Sequence, residues 1–313
     1  MIEIDAVTRL YGHRVKAVDN VSLTVENGRL VVIVGASGSG KTTLMRMINR
    51  LVEPSSGTIR IDGCDNRELP GPELRRRIGY VIQEHGLFPH RTAAENIATV
   101  PKLLGWNRKR RDARVDELLS LFHLEPSRFR DRMPHELSGG EQQRIGVARA
   151  LAAKPAFLLM DEPFGALDPS IRGRAREDLL EIQRRLSTTV VLVTHDMDEA
   201  IVLGHKIAVM REGRLLQYAP PAEIIANPAA DFVDELLGGD DKAFRMLSLD
   251  TVDRLVENGP AHGSPVSCNA SLKDVLAEAL WSGRDTLPVE KDGAIIGRVS
   301  RDCLIRHAAR PAS

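Results

Sequence analysis

The sequence predicts an α/β fold: a mainly parallel, helix-covered sheet followed by a smaller α/β unit. Short β-branched runs alternate with segments of helical periodicity through the middle of the chain. One run, Val31–Val34, passes directly into Gly35-Ala36-Ser37-Gly38-Ser39-Gly40-Lys41-Thr42-Thr43. Another, Ala156–Met160, is continuously apolar, as a buried parallel strand is, and passes into Asp161-Glu162.

Gly35, Gly40, Lys41 and Thr42 fit the phosphate-binding template G-x-x-x-x-G-K-[ST], with a strand before it and a helical pattern (Leu44, Met47, Ile48, Leu51) after it. The glycines let the backbone curl until successive N–H groups point at one centre. The following helix aims its positive end at that centre. In this template Lys41 contacts the β- and γ-phosphates and the Thr42 hydroxyl holds Mg²⁺. Asp161 and Glu162 end a parallel strand where open α/β sheets bind ligands. Asp161 suits Mg²⁺, and Glu162 suits a base that activates water.

The chain has 313 residues, enough for a sizeable core and for more than one domain. Lysines plus arginines equal aspartates plus glutamates at 43 each, so no bulk charge draws it to nucleic acid or anionic lipid. The basic run Arg108-Lys109-Arg110-Arg111 reads as a solvated helix face. Three scattered cysteines (Cys64, Cys268, Cys303) follow no metal spacing and suggest reduced thiols. The acidic, alternating N-terminus is unlike a signal peptide. No apolar run approaches the roughly 18 residues of a membrane span, so any membrane role requires a partner that supplies the helices.

Residues 2–34 read as strands, including Val15–Val18 and Val21–Val25. Tyr11 sits in the turn-like Tyr11-Gly12-His13-Arg14, where it reads as a turn tyrosine or as an aromatic able to stack on a base. A helix runs to about Leu51, and Thr58–Ile61 and Ile78–Ile82 are strands, with Gln83 a polar terminus of the second. Residues 87–154 change to helical periodicity (Ala93–Leu104, Val115–Leu124, Gln142–Ala153), which suggests a helical insertion. In Leu137-Ser138-Gly139-Gly140-Glu141-Gln142-Gln143-Arg144, Ser138 and Glu141 form a capping box. The paired glycines leave helix-start N–H groups free for an anion. Val190–Thr194 is another strand and ends at His195-Asp196. Ile207–Met210 and Arg214–Tyr218 form a hairpin about Glu212-Gly213. Helical patterns at Ala222–Ala226 and Asp231–Leu237 precede a linker. Beyond it, Leu272–Leu280 and Cys303–Ala309 are helical, and Thr286–Val289 and Ile295–Val299 form a hairpin about Lys291-Asp292-Gly293.

With these motifs in this order, the chain resembles the ATP-binding subunit of an ATP-binding-cassette (ABC) transporter over residues 1 to about 237. The resemblance rests on the phosphate loop, Gln83, the signature Leu137–Arg144, the Leu158–Glu162 strand, Gly165-Ala166-Leu167-Asp168 and His195. It implies a P-loop NTPase with a RecA-like core, an antiparallel β-subdomain and a helical subdomain at about 87–154. It also implies ATP and Mg²⁺ as ligands. ATP then lies on Gly35, Ala36, Ser37, Gly38, Ser39, Gly40, Lys41, Thr42 and Thr43, with Gln83 and Asp161, and Tyr11 stacks on the adenine. Thr42, Gln83 and Asp161 serve the metal. Glu162 is the catalytic base and His195 the γ-phosphate switch. Ser138, Gly139, Gly140 and Gln142 contact the nucleotide of a second subunit in a head-to-tail homodimer, and Asp168 communicates across it.

A narrower resemblance, to importers of quaternary-amine osmoprotectants (glycine betaine, choline, carnitine, proline betaine), lies in Tyr80-Val81-Ile82-Gln83-Glu84-His85-Gly86-Leu87-Phe88-Pro89-His90 and in Ala94–Pro101 and Leu103–Trp106. It continues in Gly239-Asp240-Asp241-Lys242 and Arg245–Leu249. It implies membrane permease subunits, an extracytoplasmic solute-binding protein, no nucleic-acid partner, and a peripheral place on the cytoplasmic face of the membrane. After a linker at 238–249, residues 250–313 resemble a single CBS-like module, through Leu287-Pro288-Val289, Asp292-Gly293 and Ile296–Ser300. Such modules commonly carry Asp three residues after the Thr/Ser; here Cys303 holds that place and Asp302 falls one earlier. Two other readings stay open: an importer ATPase for another small solute, and an ABC ATPase outside transport. The absence of tandem cassettes and the zero net charge count against the latter.

Overall fold

The computed structural model describes residues 1–12, 15–83, 86–165, 167–238 and 241–308. The chain forms two compact units. One holds Met1–Glu199 and Leu203–Tyr218; the other holds Ala200–Val202 and the chain from Ala219 on.

The first unit opens with β1 (Ile2–Tyr11) and β2 (Val15–Val25), paired antiparallel. Their buried residues (Ile2, Ile4, Val7; Val18, Val21, Leu23, Val25) share one core-facing side, as half-buried strands require. The two short segments expected at 15–25 are one strand. Asn20, with φ 54°, absorbs the irregularity between them without ending the pairing. Next come β3 (Leu30–Val34), fully buried, and α1 (Lys41–Ile48). β4 (Ser56–Ile61) and β5 (Cys64–Asp65) complete a four-stranded sheet of order β2-β1-β4-β5.

After α2 (Gly71–Arg77) and β6 (Ile78–Val81) lies a helical stretch: α3 (Ala93–Ile97), α4 (Thr99–Leu103), α5 (Arg108–Leu121), α6 (Pro126–Phe129) and α7 (Gly139–Leu151). The single helix expected over 93–104 is two. Pro101 has no N–H to give the Ile97 carbonyl four residues back, so the ladder breaks there. The chain then runs through β7 (Phe157–Asp161), α8 (Pro169–Leu186), β8 (Thr189–Thr194), α9 (Met197–Leu203), β9 (Lys206–Arg211) and β10 (Arg214–Ala219). Glu212 (φ 51°) and Gly213 (φ 80°) make the two-residue turn between the last two strands.

The second sheet has the order β10-β9-β3-β8-β7-β6. β6/β7, β7/β8, β8/β3 and β3/β9 are all parallel. The C-terminal ends of β3, β6, β7 and β8 therefore lie along one edge. This places the phosphate loop, Gln83, Asp161-Glu162 and His195 side by side, though they lie up to 160 residues apart in sequence. The core between the sheets is aliphatic, with Ile33, Leu44, Met47, Leu159, Val191 and Met210 among its buried members.

The second unit contains α10 (Pro221–Ala226), α11 (Asp231–Leu237), α12 (Lys242–Leu247), β11 (Val266–Ser267), α13 (Leu272–Ser282), β12 (Thr286–Lys291), β13 (Ala294–Ser300) and α14 (Arg301–Ala308). β11 pairs parallel and β13 antiparallel with β12. The expected linker at 238–249 contains α12, which packs against α10, α13 and α14. Leu247 is fully buried with Leu272, Val275, Leu287 and Val299, and this apolar anchor is why the segment is not a free linker. α10 and α11 group with this unit, so the chain divides near 219 and not near 237, where the sequence predicts the boundary. Of the residues singled out from sequence, His13, Arg14, Glu84, His85, Ala166, Gly239, Asp240 and Ala309 lie outside the described residues, as do positions 310–313 of the CBS-like stretch.

Candidate active site

The phosphate loop leaves β3 through Gly35 and enters α1 through Gly40, whose φ of 97° suits only glycine. A Cβ at Gly40 would lie 2.1 Å from the Ala17 carbonyl oxygen, and one at Gly35 would lie 2.1 Å from that of Met210. The loop is thus wedged between β2 and β9. Ala36, Ser37 and Gly38 are exposed at its crest. Lys41 is buried, and its Nζ donates to the carbonyls of Gly35 (2.7 Å) and Ala36 (2.9 Å). Burial pushes the Lys41 ammonium below its usual range, while Glu162 and Asp161 oppose that shift. The buried Ser39 hydroxyl has no hydrogen-bond partner. A buried cation held by carbonyls alone, beside an unspent hydroxyl, suits an anion.

The Thr42 hydroxyl donates to Asp161 Oδ1 at 3.0 Å, joining the start of α1 to the end of β7. Burial raises the Asp161 carboxyl above the ordinary carboxylate range; the Thr42 hydrogen bond and the Arg46 charge pull it back. Glu162 follows with φ 46°, a left-handed conformation that non-glycine residues seldom adopt. Its N–H donates to the Val193 carbonyl of β8 at 2.9 Å. Its Oε2 accepts from Gln83 Nε2 at 3.2 Å and faces His195 Nδ1 at 3.4 Å. Two side chains, from the ends of β6 and β8, thus converge on one carboxylate oxygen at the end of β7, with His195 largely exposed.

Tyr11, at the tip of the β1–β2 hairpin, is 43% exposed, with the Arg9 guanidinium 4.6 Å from its ring centre. Ser138 caps α7: its hydroxyl accepts from the Glu141 N–H, and Glu141 Oε2 accepts from the Ser138 N–H at 2.8 Å. Gln142 Nε2 donates to the carbonyls of Pro134 (3.0 Å) and Leu137 (3.1 Å), so its amide nitrogen fastens the segment leading into the helix. Ser138 and Gly139 are exposed, Gly140 half-buried, and Asp168 exposed. The structure therefore brings Lys41, Thr42, Gln83, Asp161, Glu162 and His195 together. The hydrogen bonds named here for Ser138 and Gln142 stay within residues 134–142. Sequence reasoning missed Arg46, which is one turn along α1 from Thr42 and whose charge reaches Asp161.

The chain has counterparts among known proteins. Residues 18–165 match the ABC transporter family. Over 290 residues the chain is 49% identical to the glycine betaine uptake system ATP-binding protein YehX of Escherichia coli, a match that covers 92% of this chain and 94% of that one. The chain belongs to the ABC transporter family. It is also 49% identical over 310 residues to the osmoprotectant import ATP-binding protein OsmV of Salmonella typhimurium, covering 96% of this chain and 79% of that one. Its fold is similar to the dimeric structure of a bacterial ABC transporter cassette, with a TM-score of 0.63 and 36% identity over 71% of this chain and 99% of that one. A dimeric ATP-binding cassette in a post-hydrolysis state, bound to ADP and Pi, gives a TM-score of 0.62 and 34% identity over the same shares. The protein is accordingly an ABC ATPase, an ATP-hydrolysing enzyme.

Proposed function

We propose that this ABC ATPase energises the uptake of quaternary-amine osmoprotectants such as glycine betaine, choline or carnitine through membrane permease subunits. Relatives at 43–49% identity over most of the chain carry names for transport of these solutes. Among the described residues no helix is long and apolar enough to cross a membrane, so the translocation path belongs to a partner. We place the subunit at the cytoplasmic face of that membrane, in a complex that an extracytoplasmic binding protein feeds.

The observation that carries the catalytic reading is the convergence of Gln83 and His195 on Glu162 Oε2, beside the Thr42–Asp161 pair. Lys41 and the loop N–H groups hold the phosphates, with Tyr11 available to the adenine. Glu162 accepts the proton of the attacking water, and Gln83 and His195 fix the carboxylate's direction. His195, exposed beside it, faces the γ-phosphate as the switch. Thr42, Asp161 and Gln83 offer only oxygen donors, which suits Mg²⁺, and Asp161 is a buried carboxyl beside which a cation is favourable. When bound there, Mg²⁺ supplies charge neutralisation between the phosphates. In our reading two subunits pair head to tail, so that Ser138, Gly139 and Gly140 of one meet the nucleotide on the other, while Gln142 shapes the approach and Asp168 lies at the seam. The solved cassettes this chain resembles are dimeric. We read residues 250–308 as a single CBS-like module that regulates the complex or helps it pair. Deleting residues 243–313 separates these: loss of osmotic control at unchanged maximal transport means regulation.

Replacing Glu162 by Gln should leave ATP binding intact and lower turnover by about 10²–10⁴-fold. Full ATPase activity in that variant would overturn the catalytic assignment. Uptake of labelled glycine betaine by cells lacking and regaining this chain tests the substrate class.

A further inference from the structure

His195 is mostly exposed, so packing does little to hold its imbidazole; its direction depends on the backbone of residues 194–196. That backbone is fastened from within. The Thr194 hydroxyl, buried at the end of β8, donates to Glu199 Oε2 at 2.7 Å and accepts from the Asp196 N–H at 3.1 Å. Asp196 Oδ1 in turn accepts from the N–H groups of Asp198 (2.8 Å) and Glu199 (3.1 Å), setting the start of α9. Arg176 reaches in from α8. Its Nη2 donates to Glu199 Oε1 at 2.9 Å and to Asp196 Oδ2 at 3.4 Å. Glu199 is 3% exposed. A buried ion pair adds little net stability over an apolar pair of the same shape, so orientation is the better account of this one.

The same helix holds a second loop. Arg172, one turn before Arg176, donates from Nη2 to the Leu167 carbonyl at 3.2 Å, and its N–H donates to the Asp168 carbonyl at 3.2 Å. Residues four apart lie on one face of a helix. One face of α8 therefore grips the loop carrying Asp168 with one arginine and the turn carrying His195 with the next.

We propose that Arg172 and Arg176 are positioning residues for ATP hydrolysis, and that α8 is a rigid strut that makes the Asp168 loop and the His195 turn move together. The proposal rests on the reading of His195 as a working member of the site. A change at Asp168, which lies at the dimer seam in that reading, would then reach the γ-phosphate side of the same subunit without passing through the nucleotide.

The test compares turnover and ATP KM for Arg176→Met, Arg176→Lys, His195→Ala and the double variant His195→Ala/Arg176→Met in the full chain. Arg176→Met should lower kcat by up to about a hundredfold, as a small misplacement of a catalytic group does, with ATP KM almost unchanged. Arg176→Lys should recover part of the loss. In the His195→Ala background Arg176→Met should cost nothing more, because the group it positions is gone. Losses that multiply in the double variant would overturn the strut while leaving the site reading intact. Full activity in His195→Ala would overturn both. If Arg176→Met yields too little folded protein, Glu199→Gln carries the same comparison, since it keeps an acceptor for Thr194 and removes the charge that Arg176 needs.

Discussion

Two glycine-rich segments of this chain differ in where their reason for being glycine lies. In the phosphate loop the reason is internal: at Gly40 a positive φ and the Ala17 carbonyl 2.1 Å from any Cβ leave no room for a side chain. At the head of α7 the reason is absent from the chain's own fold. A Cβ on Gly139 would meet nothing within 4 Å, and its backbone has no left-handed φ. In the proposed head-to-tail pairing, Gly139 is instead accounted for by the partner's nucleotide that approaches it from outside. In the proposed pairing the two segments are complementary halves of a site: one wedged into its own fold, the other capped and exposed.

The largest effect should come from breaking the internal half. Gly40→Ala forces a side chain into the Ala17 carbonyl at an unfavourable φ, and such strain costs of order 1–3 kcal/mol before any clash. ATP binding should disappear with it. Lys41→Ala removes only the cation, so it should abolish nucleotide binding, read by titration with a fluorescent ATP analogue, without a comparable fall in melting temperature. If Gly40→Ala binds ATP normally, the loop is not wedged as described.

Next comes the external half. Ser138→Arg places a bulky cation at the capped start of α7 and should abolish hydrolysis in a pure sample. Lys41→Ala chains should also be inactive alone. Mixed together, the two variants should form heterodimers with one composite site intact, and ATP occlusion should return. A mixture that never occludes ATP would remove the head-to-tail reading.

How much of this was legible in the sequence follows the same division. The phosphate loop was legible because its backbone admits few residue types, and the buried strands because β-branched runs of that length have few other fates. The convergence on Glu162 was not. Its left-handed φ occurs at a residue that gives no sign of it, and its partners Gln83 and His195 come from distant strand ends. The split of residues 93–104 could have been foreseen from Pro101. The burial of Leu247, which turns an expected linker into a helix, depends on a core assembled from later residues. The basic run at Arg108–Arg111, read as a solvated helix face, is one: it opens α5, capped by Asn107, ahead of the apolar periodicity that begins at Val115.

Asp161 offers a test of how much strain the internal half stores. Burial raises its folded-state pKa. The folded chain therefore holds that proton more tightly than the unfolded chain. The associated stability is present below the unfolded value of about 3.9 and is lost as pH rises through the folded value. At neutral pH the ionised carboxylate is a net burden on the nucleotide-free protein. Asp161→Asn should therefore raise the melting temperature at pH 7, and this gain should shrink as pH falls through the raised folded value and be gone below about 4, where the wild-type carboxyl is neutral in both states. The same variant should lose Mg²⁺-dependent turnover. A lower melting temperature at pH 7 would show that the Thr42 hydrogen bond outweighs desolvation.

The smallest effect on the fold is the sharpest probe of the comparison. Gly139 sits at the first turn of α7 with open space around it and an ordinary backbone. Replacing a glycine by alanine at a compatible position reduces the freedom of the unfolded chain and stabilises by about 0.4–1 kcal/mol. Gly139→Ala should thus melt slightly higher than the parent chain. Yet in the proposed head-to-tail pairing a methyl group there keeps the neighbour's nucleotide at a distance, so turnover should fall while ATP binding to the single subunit stays unchanged. Measured side by side, melting temperature and kcat should move in opposite directions. A variant that gains stability and keeps its turnover would mean that the open side of Gly139 faces only water, and that the external half of the site lies elsewhere on the chain.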